Sequence, residues 1–259
     1  MTRSKRSNLL TFLTSLTSLT VAGFLLIGTS NTARAAEEPV LIELFTSEGC
    51  SSCPPADSLL SKLAEDPSLV TVSEHVDYWN DLGWKDPFSK KQFSERQYDY
   101  ARQMGKKGVY TPQAVIDGES EVNGSSFDHI MEAARKARSR SKTPIRVSIK
   151  IQGQEALVSA VTTTPVPAST TVLLIITESG LTSHVTRGEN QAKVLKHTSV
   201  ARYMESQNLA DLTKSARPLN RIFKVILNPQ WKKENLKAVV LVQNQERGWL
   251  CALGSENFK

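Results

Sequence analysis

An α/β domain of order β-α-β-α-β-β-α, followed by a mostly antiparallel β domain, is the fold class this sequence predicts. Three observations predict it. A short apolar run, Val40 to Phe45, is followed within ten residues by apolar positions at helical spacing. A hairpin signal, Asp117-Gly118, comes late in the first half. Beyond Ser139-Arg140-Ser141-Lys142 the pattern changes to short alternating runs between turn residues.

The elements follow in order. Val40 to Phe45 reads as a buried strand of a parallel or mixed sheet. Ala56, Leu59, Leu60, Leu63 and Ala64 then mark an amphipathic helix opening at Pro54-Pro55. Prolines suit a first turn, because their missing N–H groups would have had no intrahelical partner. Asp66-Pro67 ends that helix, and Leu69 to Val76 is a second strand. Asp77 to Lys91 is irregular and aromatic-rich, overlapping a helix expected over Phe88 to Gly105. Gln113 to Ile116 and the region of Val122 form the hairpin arms around Asp117-Gly118. Ser125 and Asp128 form a capping box for a closing helix whose stripe is Phe127, Ile130, Met131, Ala134 and Ala137.

In the second half Ile145, Val147, Ile149 and Ile151 alternate with polar residues, as a half-exposed strand does. Leu157 to Thr162, Thr171 to Thr177, Arg221 to Leu227, Leu236 to Val242 and Trp249 to Leu253 continue the series toward a sandwich or barrel. A helical stretch is expected near His197 to Ser206. The predicted division is a signal peptide over 1–35, an α/β domain over 36–142 and a β-rich domain over 143–259.

The signal peptide rests on Arg3, Lys5 and Arg6, the apolar stretch Leu9 to Gly28, and the small-residue site Ala33-Arg34-Ala35. Threonines and serines dilute the apolar stretch, so cleavage is expected rather than retention as an anchor, and no membrane span remains. The whole chain carries 32 basic and 26 acidic side chains, net +6. The first 35 residues hold four of the basic and none of the acidic ones, which leaves 28 against 26, or +2. A domain so near neutrality has no electrostatic footprint for nucleic acid. The expected location is exported, periplasmic or secreted, where disulfides persist.

Cys50-Ser51-Ser52-Cys53 joins the first strand to the first helix. A C-x-x-C there serves as half a zinc site, as a static disulfide or as a reversible one. Zinc needs two more ligands, and the remaining Cys251 and the histidines His75, His129, His184 and His197 show no tight pairing. A static staple of so short a ring removes little unfolded-chain entropy. Reversible exchange fits best, because a helix N-terminus stabilises a thiolate and lowers cysteine pKa values to about 3.5–7.5 in such motifs. Cys50 is then the nucleophile and Cys53 the resolving thiol.

The segment resembles the thioredoxin superfamily: apolar strand, C-x-x-C, helix, and later Val109-Tyr110-Thr111-Pro112 opening a strand that ends in Asp117-Gly118. The resemblance implies that Pro112, preceded by Thr111, is a cis-proline that shapes a substrate groove facing the cysteines. It also makes Glu43 a candidate proton relay, offset by one residue from the buried acid of thioredoxins. More narrowly, Glu43-Leu44-Phe45-Thr46-Ser47-Glu48-Gly49-Cys50 through Asp57 looks like a secreted thioredoxin-like family largely without assigned function. His75-Val76-Asp77-Tyr78-Trp79, Gly83-Trp84-Lys85-Asp86-Pro87-Phe88 and Arg187-Gly188-Glu189-Asn190 with His197 match it too.

Further expectations attach to single residues. Tyr78, Trp79, Trp84 and Phe88 form an aromatic insertion, read as core packing or as a grip on a client. His75 and Asp77 line one crevice only if the strand continues between them. The loop Arg187 to Asn190 is read first as a brace, with contact to the cysteine site or anion binding as the alternatives, and Cys251 as a strand residue behaving as a small hydrophobe. The leading functional reading is an exported thiol-disulfide oxidoreductase, acting on protein thiols or disulfides with no cofactor and no resident metal. The alternatives are a copper(I)-handling protein, using the same thiolates and one of His75, His184 or His197, and a non-catalytic binding module.

Overall fold

The computed structural model describes residues 39–209 and 216–259. The expected signal peptide therefore lies outside the described residues. Among the described residues, no helix is long and apolar enough to cross a membrane. Residues 36–259 form one compact unit.

The first half follows the expected order: β1 (Val40–Thr46), α1 (Pro54–Leu63), β2 (Leu69–His75), α2 (Lys91–Gln103), β3 (Gln113–Ile116), β4 (Ser120–Asn123) and α3 (Phe127–Ala137). β1 and β2 pair in parallel, β3 runs antiparallel to β1, and β4 antiparallel to β3. Every residue of β1 and β2 is buried, which is why their sequences do not alternate. Val40, Ile42 and Leu44 meet α1 and α3, while Leu41 and Phe45 face the α2 side. Large apolar side chains buried this way each stabilise the fold by roughly 1.5–3 kcal/mol.

The second half supplies β5 (Thr143–Pro144), β6 (Arg146–Gln152), β7 (Glu155–Val166), β8 (Thr170–Glu178), β9 (Leu181–His184), β10 (Val194–His197), β11 (Val200–Asn208), β12 (Arg217–Ile226), β13 (Leu236–Asn244) and β14 (Leu250–Asn257). These do not build a separate sheet system. Val200 of β11 pairs in parallel with Ser73 of β2, so the first four strands continue into a nine-stranded sheet, β4-β3-β1-β2-β11-β8-β13-β14-β5. A three-stranded sheet, β12-β7-β6, covers one face of its distal half, with Val158, Phe223, Leu174, Ile176 and Val240 in the shared core. β9 and β10 form a separate hairpin.

The long sheet curls around α2. Phe93 shares a core with Leu41 of β1 and with Leu173, Val239 and Leu250 of the distal strands. The Leu250 N–H donates to the carbonyl of Asp117, in the turn between β3 and β4. The Asp117 carboxylate accepts from Lys142 (2.7 Å) and from the Leu41 N–H (2.7 Å), which ties the start of the β-rich half to β1.

Three local expectations are corrected. His197 to Ser206 is not helical, because His197 pairs with Leu181 of β9 and the stretch from Val200 pairs with β8, Val200 also meeting Ser73 of β2, and cross-strand pairing outweighs local preference. α2 begins at Lys91 rather than Phe88, because the Asp86 carboxylate accepts the Phe88 N–H (2.8 Å) and holds Pro87 to Ser89 in a turn. Ser125 does not cap α3. Its N–H is taken by Asn123, and Ser126 occupies the cap without a side-chain bond.

Candidate active site around Cys50 and Cys53

Cys50 and Cys53 are joined by a disulfide, with Cα atoms 5.5 Å apart. Cys53 is the N-cap of α1 and Cys50 lies in the preceding turn, where its carbonyl accepts the Cys53 N–H. Pro54 and Pro55 remove two of the N–H groups a helix start usually offers. The Ser52 hydroxyl stands in for them, 3.3 Å from Cys50 Sγ. Opposite lies Thr111–Pro112, joined by a cis peptide bond. Trp79 spans the two loops. Its Cβ passes so close to Gly49 that a Cβ there would sit 3.1 Å away, and its Nε1–H donates to Thr111 Oγ1 (3.0 Å).

The cysteines are covered. Cys50 is 1 % exposed and Cys53 0 %, although Ser51 and Ser52 between them face solvent. The cover comes from the loop between β9 and β10. Asn190 Nδ2 donates to the carbonyls of Glu48 (2.8 Å) and Cys50 (2.9 Å), and Glu189 accepts the Ser51 N–H (3.2 Å). Lys193 Nζ steadies Asn190 by donating to Oδ1 (2.8 Å). Gly188, at φ +75°, lets this loop lie against Trp84 with only 3.2 Å to spare for a Cβ. The loop read as a brace thus reaches the cysteine turn itself.

Behind the turn lies a fully buried polar cluster. The His75 Nδ1–H donates to Asp86 Oδ2 (2.7 Å), which also accepts the Glu48 N–H (2.8 Å). The His197 Nε2–H donates to Glu48 Oε1 (3.0 Å), and Trp84 Nε1–H donates to Glu48 Oε2 (2.7 Å). Thr46 donates to Asp57 Oδ1 (2.9 Å), and Asp57 Oδ2 stands 3.9 Å from His197 Nδ1. The two imidazoles meet edge to face at 4.9 Å, with the Phe88 ring against both. Burial pushes the Asp57 carboxyl above its usual range, against the opposing pull of His75 and His197. Burial works against a charge on His75, yet Asp86 prevails and raises its pKa. Burial likewise opposes the Asp86 carboxylate, but His75 and two backbone N–H donors hold it below its usual range.

The sequence candidates separate. Cys50, Cys53, Thr111, Pro112 and Trp79 come together at the cysteine turn, where Ser52 and Trp79 both reach Thr111, and His75 lies in the cluster behind it. Glu43 goes to the other face of β1, where both of its oxygens are taken by Arg96 and Tyr100 of α2. Asp77 bonds Ser94 of α2 through its N–H and carboxylate, because β2 ends at His75 and the alternation stops. His184 is exposed on the hairpin, and Cys251 is half-buried on β14, where burial raises its thiol pKa. Among the described residues, no group of three His, Cys, Asp or Glu side chains is arranged to hold a metal.

Glu48, Asp57 and Asp86 were given no role by sequence, and Glu189 and Asn190 were noted only as part of the Arg187 to Asn190 loop. Asp57 carried a signal. It follows Ala56 on the stripe that includes Leu60 and Leu63, a carboxylate on an otherwise buried helix face.

No curated protein matches the chain. A crystal structure of an Agrobacterium tumefaciens protein is 30% identical, covers 85% of this chain and 93% of its own, and superposes with a TM-score of 0.60. The E. coli curli protein CsgC (11% identity, 44% of this chain, 97% of its own) and a Ruminococcus gnavus β-glucuronidase (12%, 44% and 15%) reach TM-scores of only 0.24 and 0.20. Residues 41–243 match the family described as "Protein of unknown function (DUF1223)", and the chain belongs to that family.

Proposed function

We propose that this is an exported thiol-disulfide oxidoreductase with a thioredoxin-like first half, exchanging disulfides with a protein partner through Cys50 and Cys53. One observation carries the reading: a disulfide spanning a turn into a helix, with the Ser52 hydroxyl 3.3 Å from Cys50 Sγ and 3.5 Å from the Thr111 carbonyl of the facing loop. A thiolate at Cys50 is stabilised there by the Ser52 hydroxyl and by the helix dipole, worth about 0.3–1 kcal/mol. Thr111, Pro112 and Trp79 form the wall along which a partner's cysteine segment would lie. The loop bearing Glu189 and Asn190 has to move aside before a partner sulfur can approach Cys50 in line with the S–S bond.

The cover supports a second reading, a binding module in which the disulfide is static. The reduction potential of the Cys50/Cys53 couple separates the two. A value between about −270 and −120 mV, with insulin reduction that Cys50→Ala abolishes, is the expected result. A value below about −300 mV, without turnover, marks a structural bond and overturns exchange.

A further inference from the structure

The cluster behind the cysteines leaves three buried protonation sites without a hydrogen bond, Asp57 Oδ2, His75 Nε2 and His197 Nδ1, the first and last only 3.9 Å apart. The other atoms of the same side chains fix this arrangement. Asp86 is held as a carboxylate by the Glu48 and Phe88 N–H groups, so it accepts, and His75 Nδ1 must carry its hydrogen toward it. Glu48 takes the Trp84 N–H on Oε2 and sets Oε1 3.0 Å from His197 Nε2; as a carboxylate it can only accept, which places the second hydrogen on His197 Nε2. The two remaining ring nitrogens and the free oxygen of Asp57 are then the only places a further proton can go. A single buried group left unpaired costs about 1–3 kcal/mol, and such groups in native proteins mark redox or catalytic sites or enclosed water. Three converge here, contributed by α1, β2 and β10.

Their location supplies the use. Asp57 is one helical turn beyond Cys53, and its N–H donates to the Cys53 carbonyl (3.1 Å). Residues four apart on a helix lie on the same side, with Cβ atoms about 5–6 Å apart. No other titratable group on α1 has a buried side-chain atom without a hydrogen bond.

We propose that Asp57, His75 and His197 form a buried proton store that serves Cys53 during disulfide exchange. The inference rests on the exchange reading above and names the residues that carry its proton. A partner thiolate attacks Cys50 Sγ. The Cys50–Cys53 bond breaks, its electron pair goes to Cys53 Sγ, and that sulfur takes a proton from the store. The partner's second thiol then attacks the mixed disulfide, Cys50 leaves as a thiolate, and the proton shed by that second thiol refills the store. Two electrons have passed from the partner to the cysteines, the partner holds the new disulfide, and charge is balanced. Asp57 acts at the sulfur. His75 and His197 are positioning residues that set where the proton rests, under the charges of Asp86 and Glu48. Phe88 closes the cluster from the side of the aromatic insertion.

The test has two arms on the purified protein. In the first, the oxidised protein is mixed with dithiothreitol across about pH 5–8, and the rate constant is expressed per dithiothreitol thiolate. Asp57→Asn is expected to slow this rate about tenfold near neutrality, with the deficit closing toward acid as solvent supplies the proton. Asp57→Glu restores it in part, and His197→Asn shifts the pH at which the deficit opens. In the second arm, infrared spectra of the oxidised protein near neutral pH show a carboxylic-acid C=O band that Asp57→Asn deletes. A rate per thiolate unchanged within about twofold in Asp57→Asn, or no such band in the native protein, overturns the proton store. If Asp57→Asn does not fold, His197→Asn carries the rate arm alone. Absence of any thiol exchange by the native protein sinks the exchange reading instead, and the infrared band then still decides whether the store exists.

Discussion

Two buried charged clusters flank the same pair of strands, and they behave differently. On the α2 face, Glu43 and Glu74 of β1 and β2 share Arg96, at 2.6 and 3.4 Å, with Tyr100 and Gln243 completing the network. Burial and the adjoining Glu43 hold Glu74 well above the usual carboxylate range. On the other side, Asp57, His75 and His197 sit against Asp86 and Glu48, directly under the cysteine turn. The first is closed by a permanent cation, joins α2 to the distal strands, and has no reactive atom nearby. The second gathers carboxyls and imidazoles with no lysine or arginine among them, and a disulfide adjoins it. Buried charge by itself therefore does not mark a site; the reacting neighbour does.

The largest expected effect would break the first cluster and spare the second. Arg96→Met removes the cation from two buried carboxylates, and losing one partner of a buried ionic network costs about 3–5 kcal/mol. For a chain of this size each kcal/mol moves the melting temperature by roughly 2–4 °C, so a drop of about 10 °C is expected by differential scanning calorimetry. The reduction potential of Cys50/Cys53 stays unchanged. A shifted potential with little loss of stability would show that the two clusters are coupled and the contrast is false.

Asn190→Ala comes next. It leaves two backbone carbonyls at the cysteine turn without their donor, at about 1–3 kcal/mol for buried groups. Thiol reagents should reach the disulfide faster, with reduction by dithiothreitol accelerated at least several-fold. A slower reaction would mean that the loop positions the turn rather than guarding it. Ser52→Ala is smaller and purely local. Losing a hydrogen bond to an ionised sulfur is worth about 1.4 kcal/mol, or tenfold in thiolate fraction, read as slower alkylation of the reduced protein near neutral pH.

Much of this was legible in the sequence, and the part that was not has a common cause. The order of the first seven elements followed from apolar period and turn residues, because each depends on neighbours along the chain. The cysteine turn and the Thr111–Pro112 loop were legible for the same reason. The single nine-stranded sheet was not, since it depends on Val200 meeting Ser73 across 127 residues. The covering loop and His197 arrive by that same long-range pairing, so the roles of Asn190 and His197 could only be guessed. Glu43 misled because spacing to the cysteines was legible while the face of the strand was not. One residue of offset turned it toward Arg96. Asp57 was visible as a carboxylate on an apolar stripe, a signal that needs no tertiary knowledge.

The smallest effect sharpens the comparison most directly, because it uses pH alone. His75 has a folded pKa above its ordinary 6.5, so its pairing stabilises the protein fully below that pH and is lost as pH rises through the folded value. Asp86 has a folded pKa below its ordinary 3.8, so its share is present above that pH and lost as pH falls through the folded value. The His75–Asp86 pair therefore contributes most between these limits. At about pH 5–6 the native protein should melt a few degrees above His75→Gln, on the basis of roughly 1 kcal/mol for the bond. The gap should narrow steadily toward about pH 9 as His75 loses its charge. Arg96→Met should show no such narrowing; its gap should widen as pH rises, because Glu43 and Glu74 must then ionise without their cation. Parallel melting curves for both variants across pH would remove the distinction between a sealed cluster and a titrating one.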